Sequence, residues 1–111
     1  MNAMNWLTGC FSSRGKALSL YKRGMAKAKK RDNRGAISDY TTTIGMTETP
    51  EDVKAMALYN RALAHVATGD DGKGVDDLDS ALAMENAPVN VKTMARLKLA
   101  RMESRSRKNT A

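Results

Sequence analysis

The chain has a single cysteine, Cys10, so neither an internal disulfide nor a multi-cysteine zinc site can form. That fits a reducing compartment, and the expected location is cytoplasmic. No apolar stretch approaches the ~20 residues needed to span a bilayer. Aromatic residues are few: Trp6, Phe11, Tyr21, Tyr40 and Tyr59. A core must therefore rest on alanine, leucine, methionine and valine, a diet that favours helix over sheet. There are two prolines, Pro50 and Pro88, and both fall where a helix would begin. No nucleophile elbow, phosphate-binding glycine loop or carboxylate–histidine metal motif is present. The run Gly69-Asp70-Asp71-Gly72-Lys73-Gly74 has neither the spacing nor the preceding strand of a phosphate loop, and reads as a turn. His65, the only histidine, sits in a helical pattern as a packing residue. Asp76, Asp77 and Asp79 fall near a helix start, where the macrodipole favours carboxylates. No catalysis and no cofactor are expected.

What is present is an internal repeat. A shift of 38 positions (88 − 50) aligns Pro50 with Pro88, Met46 with Met84, Val53 with Val91, and Met56-Ala57 with Met94-Ala95. The same shift aligns Lys16-Ala17 with Lys54-Ala55, Leu20-Tyr21 with Leu58-Tyr59, Arg23 with Arg61, and Asp39 with Asp77. One offset held over two periods marks a duplicated unit. Helical spacing of apolar residues places helices at about 15–31, 33–46, 51–68, 71–84 and 89–104. Asp32 or Asn33 caps the second helix, and Gly69-Asp70-Asp71 breaks and recaps the chain before the fourth.

The runs Ala57-Leu58-Tyr59-Asn60-Arg61-Ala62-Leu63-Ala64, Gly69-Asp70, and Gly74-Val75 through Ala81-Leu82 resemble a tetratricopeptide repeat. Leu20-Tyr21-Lys22-Arg23-Gly24-Met25-Ala26, with Ala36-Ile37-Ser38-Asp39-Tyr40 and Ile44, is similar to a second copy. The small residues Gly24, Ala36, Ala62 and Gly74 would let paired helices approach closely, with Tyr40 and Leu78 filling the space beside them. The resemblance implies an all-α α-solenoid of five helices: repeat 1 at about 15–48, repeat 2 at about 51–86, and a capping helix at about 89–104. It covers most of the chain. The unit is longer than the usual ~34 residues, with the extra length in the linker around Thr47–Pro50. Lys27 and His65 stand where the family usually has tyrosine, and Thr43 replaces a small alanine. Residues 1–13 are expected to be a disordered leader and 105–111 a disordered basic tail. Leu7-Thr8-Gly9-Cys10 has the form of a lipoprotein cleavage box, but only six residues precede it and they lack a basic start and an apolar run.

In this family the first helices of successive units line a concave groove for peptides or helices. Carried onto this chain, the resemblance puts Leu18, Tyr21, Lys22, Met25 and Lys29 on the first wall. Met56, Tyr59, Asn60, Leu63 and Val66 form the second. Met94, Leu97, Lys98 and Arg101 lie on the capping helix. Such a groove, apolar in its floor and basic at its edges, implies an acidic or amphipathic protein partner. The other reading of its apolar members is that they complete the core. The lysine–asparagine clamp by which some family members hold chaperone C-termini is matched only at Asn60, with Lys98 a partial substitute, while Tyr21, Met25 and Met94 occupy its other places.

Net charge is +7, unevenly spread. Nine basic residues fall between Arg14 and Arg34 against Asp32 alone, and seven between Lys92 and Lys108 against Glu103. Between Glu48 and Glu85 nine acidic residues face only Lys54, Arg61 and Lys73. Cationic ends suit a nucleic acid or an anionic membrane, the alternative to a protein-binding module. A solvated helix surface explains the same charges, and a core this small also invites a homo-oligomer.

Overall fold

A computed structural model describes residues 13–110, with side chains described for 14–109. The described residues are all helical apart from short connections: α1 (Ser13–Lys29), α2 (Asn33–Gly45), α3 (Glu51–Ala67), α4 (Asp71–Ala83) and α5 (Val89–Thr110). The expected leader lies outside them except for Ser13, which opens α1, and the Leu7–Cys10 run lies wholly outside. Among the described residues no helix is long and apolar enough to cross a membrane.

The boundaries follow local chemistry. Asp32 caps α2 by accepting the Gly35 amide at 3.0 Å, and Asp70 caps α4 by accepting the Lys73 amide at 3.0 Å. The carbonyls of Pro50 and Pro88 accept from Lys54 and Lys92, starting α3 and α5 alike. At the ends of α1 and α3 the chain closes identically. The amide of Asp32 reaches the Lys27 carbonyl at 2.8 Å, and that of Asp70 reaches the His65 carbonyl at 2.8 Å. This closure requires a left-handed residue, which is Gly69 in one turn (φ 89°) and Arg31 in the other (φ 66°). A side chain in that region costs ~1–2 kcal/mol. Arg31→Gly is therefore expected to gain ~0.5–1 kcal/mol after the added chain entropy, read as a higher urea midpoint at unchanged slope.

The last helix corrects an expectation. It runs past 104 to Thr110, so residues 105–110 are helix rather than a disordered tail. No glycine or proline interrupts Ser104–Thr110. Arg107 bonds Glu103 one turn back at 2.8 Å, and Arg105 reaches Asp71 at the start of α4 at 3.0 Å.

Each helix packs against the next, with lesser contact between α1 and α3 and between α3 and α5. Three apolar clusters result. Tyr21, Ala36, Tyr40, Val53 and Ala57 join α1, α2 and α3, while Ala62, Leu78, Ala95 and Met102 join α3, α4 and α5. Ala55, Ala87 and Val91 form the third. The close-approach residues are all buried. A Cβ on Gly24 would sit 2.6 Å from Tyr40 Cε1, and one on Gly74 would sit 2.7 Å from Val66 Cγ2. Thr43 is fully buried, and its hydroxyl donates to the Asp39 carbonyl at 2.8 Å.

Candidate functional site

Side chains expected in a groove divide into three groups. Lys22, Met25, Lys29, Met94 and Arg101 are exposed, as are Leu18 and Leu97. Met56, Tyr59, Asn60, Leu63, Val66 and Lys98 are half-buried. Met56 packs against the first and third clusters and Tyr59 against the second and third, so both belong partly to the core. Tyr21 is core: it is 7% exposed and its ring lies 6.0 Å from that of Tyr40. The correction has a simple cause, since α2 and α3 both close over this residue through Tyr40, Val53 and Ala57.

One polar link joins the α1 and α3 walls. The Asn60 amide donates to Tyr21 Oη at 2.9 Å and to the Met56 carbonyl at 3.0 Å. Burial raises the Tyr21 phenol above its ordinary value, and the Asn60 hydrogen bond opposes that rise. Tyr40, beside it, is pushed up to about 12 by burial, with lesser contributions from Tyr21 and Asp39. Both phenols are neutral at physiological pH.

Among the described residues, the five large hydrophobic side chains that stand exposed lie on two helices: Leu18 and Met25 on α1, and Val89, Met94 and Leu97 on α5. None lies on α2, α3 or α4. A hollow of about 350 Å³ between the N-terminal halves of α1 and α3 is lined by Leu18, Val53 and Met56, with Arg14 and Asp52 at its rim.

The most ordered electrostatic features were not anticipated as a pair. Arg23 forks onto Asp39 (Nε–Oδ2 2.9 Å, Nη2–Oδ1 2.8 Å), and Arg61 forks onto Asp77 (2.8 and 2.7 Å). A second basic side chain attends each carboxylate, Lys27 Nζ at 3.1 Å from Asp39 and His65 Nε2 at 3.8 Å from Asp77. Asp77 is thus a buried partner of Arg61 rather than a carboxylate placed by the helix dipole. Likewise Lys27 and His65 are companions of buried aspartates. Arg23 holds the Asp39 carboxyl below its ordinary 3.8, burial opposes, and Lys27 adds to the lowering. A carboxylate already engaged by a bidentate arginine serves as a strut between helices and is a poor general base. The offset of 38 had aligned these residues, but their meeting required α2 and α4 to turn back along α1 and α3. Among the described residues no group of three or more histidine, cysteine, aspartate and glutamate side chains is placed to hold a metal.

Comparison with known proteins finds no matching family model, no matching curated protein and no matching solved structure.

Proposed function

We propose that the chain is a tetratricopeptide-like module, two helical hairpins and a capping helix stacked as a short solenoid, that binds an acidic amphipathic segment of another protein. Its binding face is formed by α1, α3 and α5. The observation that carries this reading is that, among the described residues, the exposed large hydrophobic side chains are confined to α1 and α5. Exposed apolar groups concentrated on particular helices are what an interaction surface offers. Lys22, Lys29 and Arg101 stand exposed on the same two helices, with Lys98 half-buried on α5, so a complementary ligand carries acidic residues around apolar anchors. Catalysis forms no part of the proposal.

The alternative, association with a nucleic acid or an anionic membrane, draws on the length of α5. Its continuation to Thr110 brings Arg101, Arg105 and Lys108 onto one helical face, although Arg105 is tied to Asp71.

The two readings separate by salt and by substitution. Fluorescence anisotropy would compare a labelled acidic amphipathic peptide with single-stranded RNA and phosphatidylserine vesicles. The peptide is expected to bind, to survive moderate salt, and to lose about tenfold in affinity in a Met25→Ser/Leu97→Ser variant, as apolar anchors do. Binding of RNA or vesicles alone, abolished by salt and indifferent to those substitutions, would replace the proposal with the alternative.

A further inference from the structure

The repeat offset allows the two sides of the helical stack to be compared residue by residue. On α3, Ala57 and Arg61 meet α2, with Lys54 and Leu58 one helical turn or one residue away; the same positions on α1 are Lys16, Ser19, Leu20 and Arg23. Ala57 is wholly buried and Leu58 nearly so, and the Arg61 side chain is 20% exposed. Ser19 and Lys16 are exposed, Leu20 is half-buried and the Arg23 side chain is 61% exposed. The difference is the helix that covers α3. Tyr40 and Ile44 of α2 pack into the cluster holding Ala57, and Thr41 accepts a hydrogen bond from Arg61 at 3.1 Å. The arrangement recurs on α5, where Leu78 and Leu82 of α4 pack into the cluster holding Ala95, the next counterpart of Ala57. On α1 there is instead a hollow of about 400 Å³, lined by Lys16, Ser19, Leu20 and Arg23.

We propose that this outer edge of α1 is a second docking surface, taking an acidic amphipathic helix of a partner protein in the manner in which α3 takes α2. Two features define the ligand. The internal template specifies large apolar residues at i and i+4, the places of Tyr40 and Ile44, set over Ser19. Charge specifies the rest: Lys16 and Arg23 flank the hollow, and Lys27 on α1 and Lys30 just past its end continue the cationic surface. A carboxylate at i+1, the place of Thr41, meets the Arg23 guanidinium. A second copy of the chain is a poorer occupant through its own terminal helices, since α1 and α5 both carry predominantly basic side chains and like charges repel. The surface is distinct from the α1–α3–α5 face, and its occupancy does not depend on what that face binds.

The test uses the full chain and a labelled synthetic peptide of residues 32–46 of this sequence carrying Thr41→Glu, a probe that presents the α2 pattern in acidic form. Binding is read by anisotropy. The wild type is expected to bind, Ser19→Arg to fill the hollow and weaken binding at least about tenfold, and Lys16→Glu to weaken it about threefold or more, on the scale of a desolvated contact and of a rim charge. Circular dichroism confirms the fold of each variant, and both substitutions lie at exposed positions. Leu97→Ser on the other face is expected to leave binding unchanged. The proposal is overturned if the wild type does not bind, if Ser19→Arg binds normally, or if Leu97→Ser abolishes binding. Binding seen only after removal of residues 1–12 overturns it as well, since this chain's own segment would then hold the edge.

Discussion

Arg61→Ala is expected to lower the unfolding free energy by ~2–3 kcal/mol, the loss for breaking a buried pair reduced for partial exposure. The substitution strands Asp77, a carboxylate 6% exposed, with only His65 at 3.8 Å for company. The matching change in the first unit, Arg23→Ala, should cost much less. Arg23 is largely in water, and Lys27 remains 3.1 Å from Asp39 to hold the charge. Two ion pairs of the same geometry thus differ in worth because one is covered by a neighbouring helix and the other is not. Urea unfolding of both variants at neutral pH measures the difference, and equal losses would contradict this account. Acid sharpens the comparison. Because Asp39 titrates below 3.8 in the folded chain, its stabilisation is full above that value and fades as pH falls through the lowered one. Arg23→Ala removes the chief cause of the lowering, so its loss relative to wild type should shrink in acid.

Gly24→Ala is expected to destabilise by ~2–3 kcal/mol even though alanine is the better helix former by ~1 kcal/mol. The added methyl would lie 2.6 and 2.9 Å from ring carbons of Tyr40, and that ring, 1% exposed, is itself clamped by Tyr21 and Val53. The strain must then spread into the α1–α2 spacing. Gly45→Ala is the control: nothing lies within 4 Å of its would-be Cβ, so it should be neutral or stabilising. Thermal melts should show a drop on the order of 10 °C for the first and none for the second. A neutral Gly24→Ala would mean that the helices separate without penalty.

How much of this was readable in advance depended on how local each signal is. The helix limits were legible because Asp32, Asp70, Pro50 and Pro88 act within a turn of where they stand. The burial of Gly24, Ala36, Ala62 and Gly74 was legible because small residues at a repeated offset have few other uses. The end of α5 was misread, since a polar, basic stretch resembles a tail until Arg105 is seen to reach Asp71. Tyr21 was expected on the groove wall because the resemblance places it there without revealing that two further helices meet over it. Its repeat partner Tyr59 is only half-buried, so one register gave two environments. The Arg–Asp struts lay in plain view as aligned pairs, yet a contact sixteen residues apart becomes visible only when the chain is folded back on itself.

The sequential packing of the helices has a kinetic consequence. Each described helix finds its main partner in one adjacent along the chain, across connections of three or five residues, and none of them must await a distant one. Closing such short loops costs little entropy, and chains built from near neighbours reach their native state in about microseconds to milliseconds. An alanine-rich core with small clusters offers modest stability, but the chain that builds it spends little time with that core open to solvent. Its protection against aggregation would then rest on speed of assembly as much as on depth of burial.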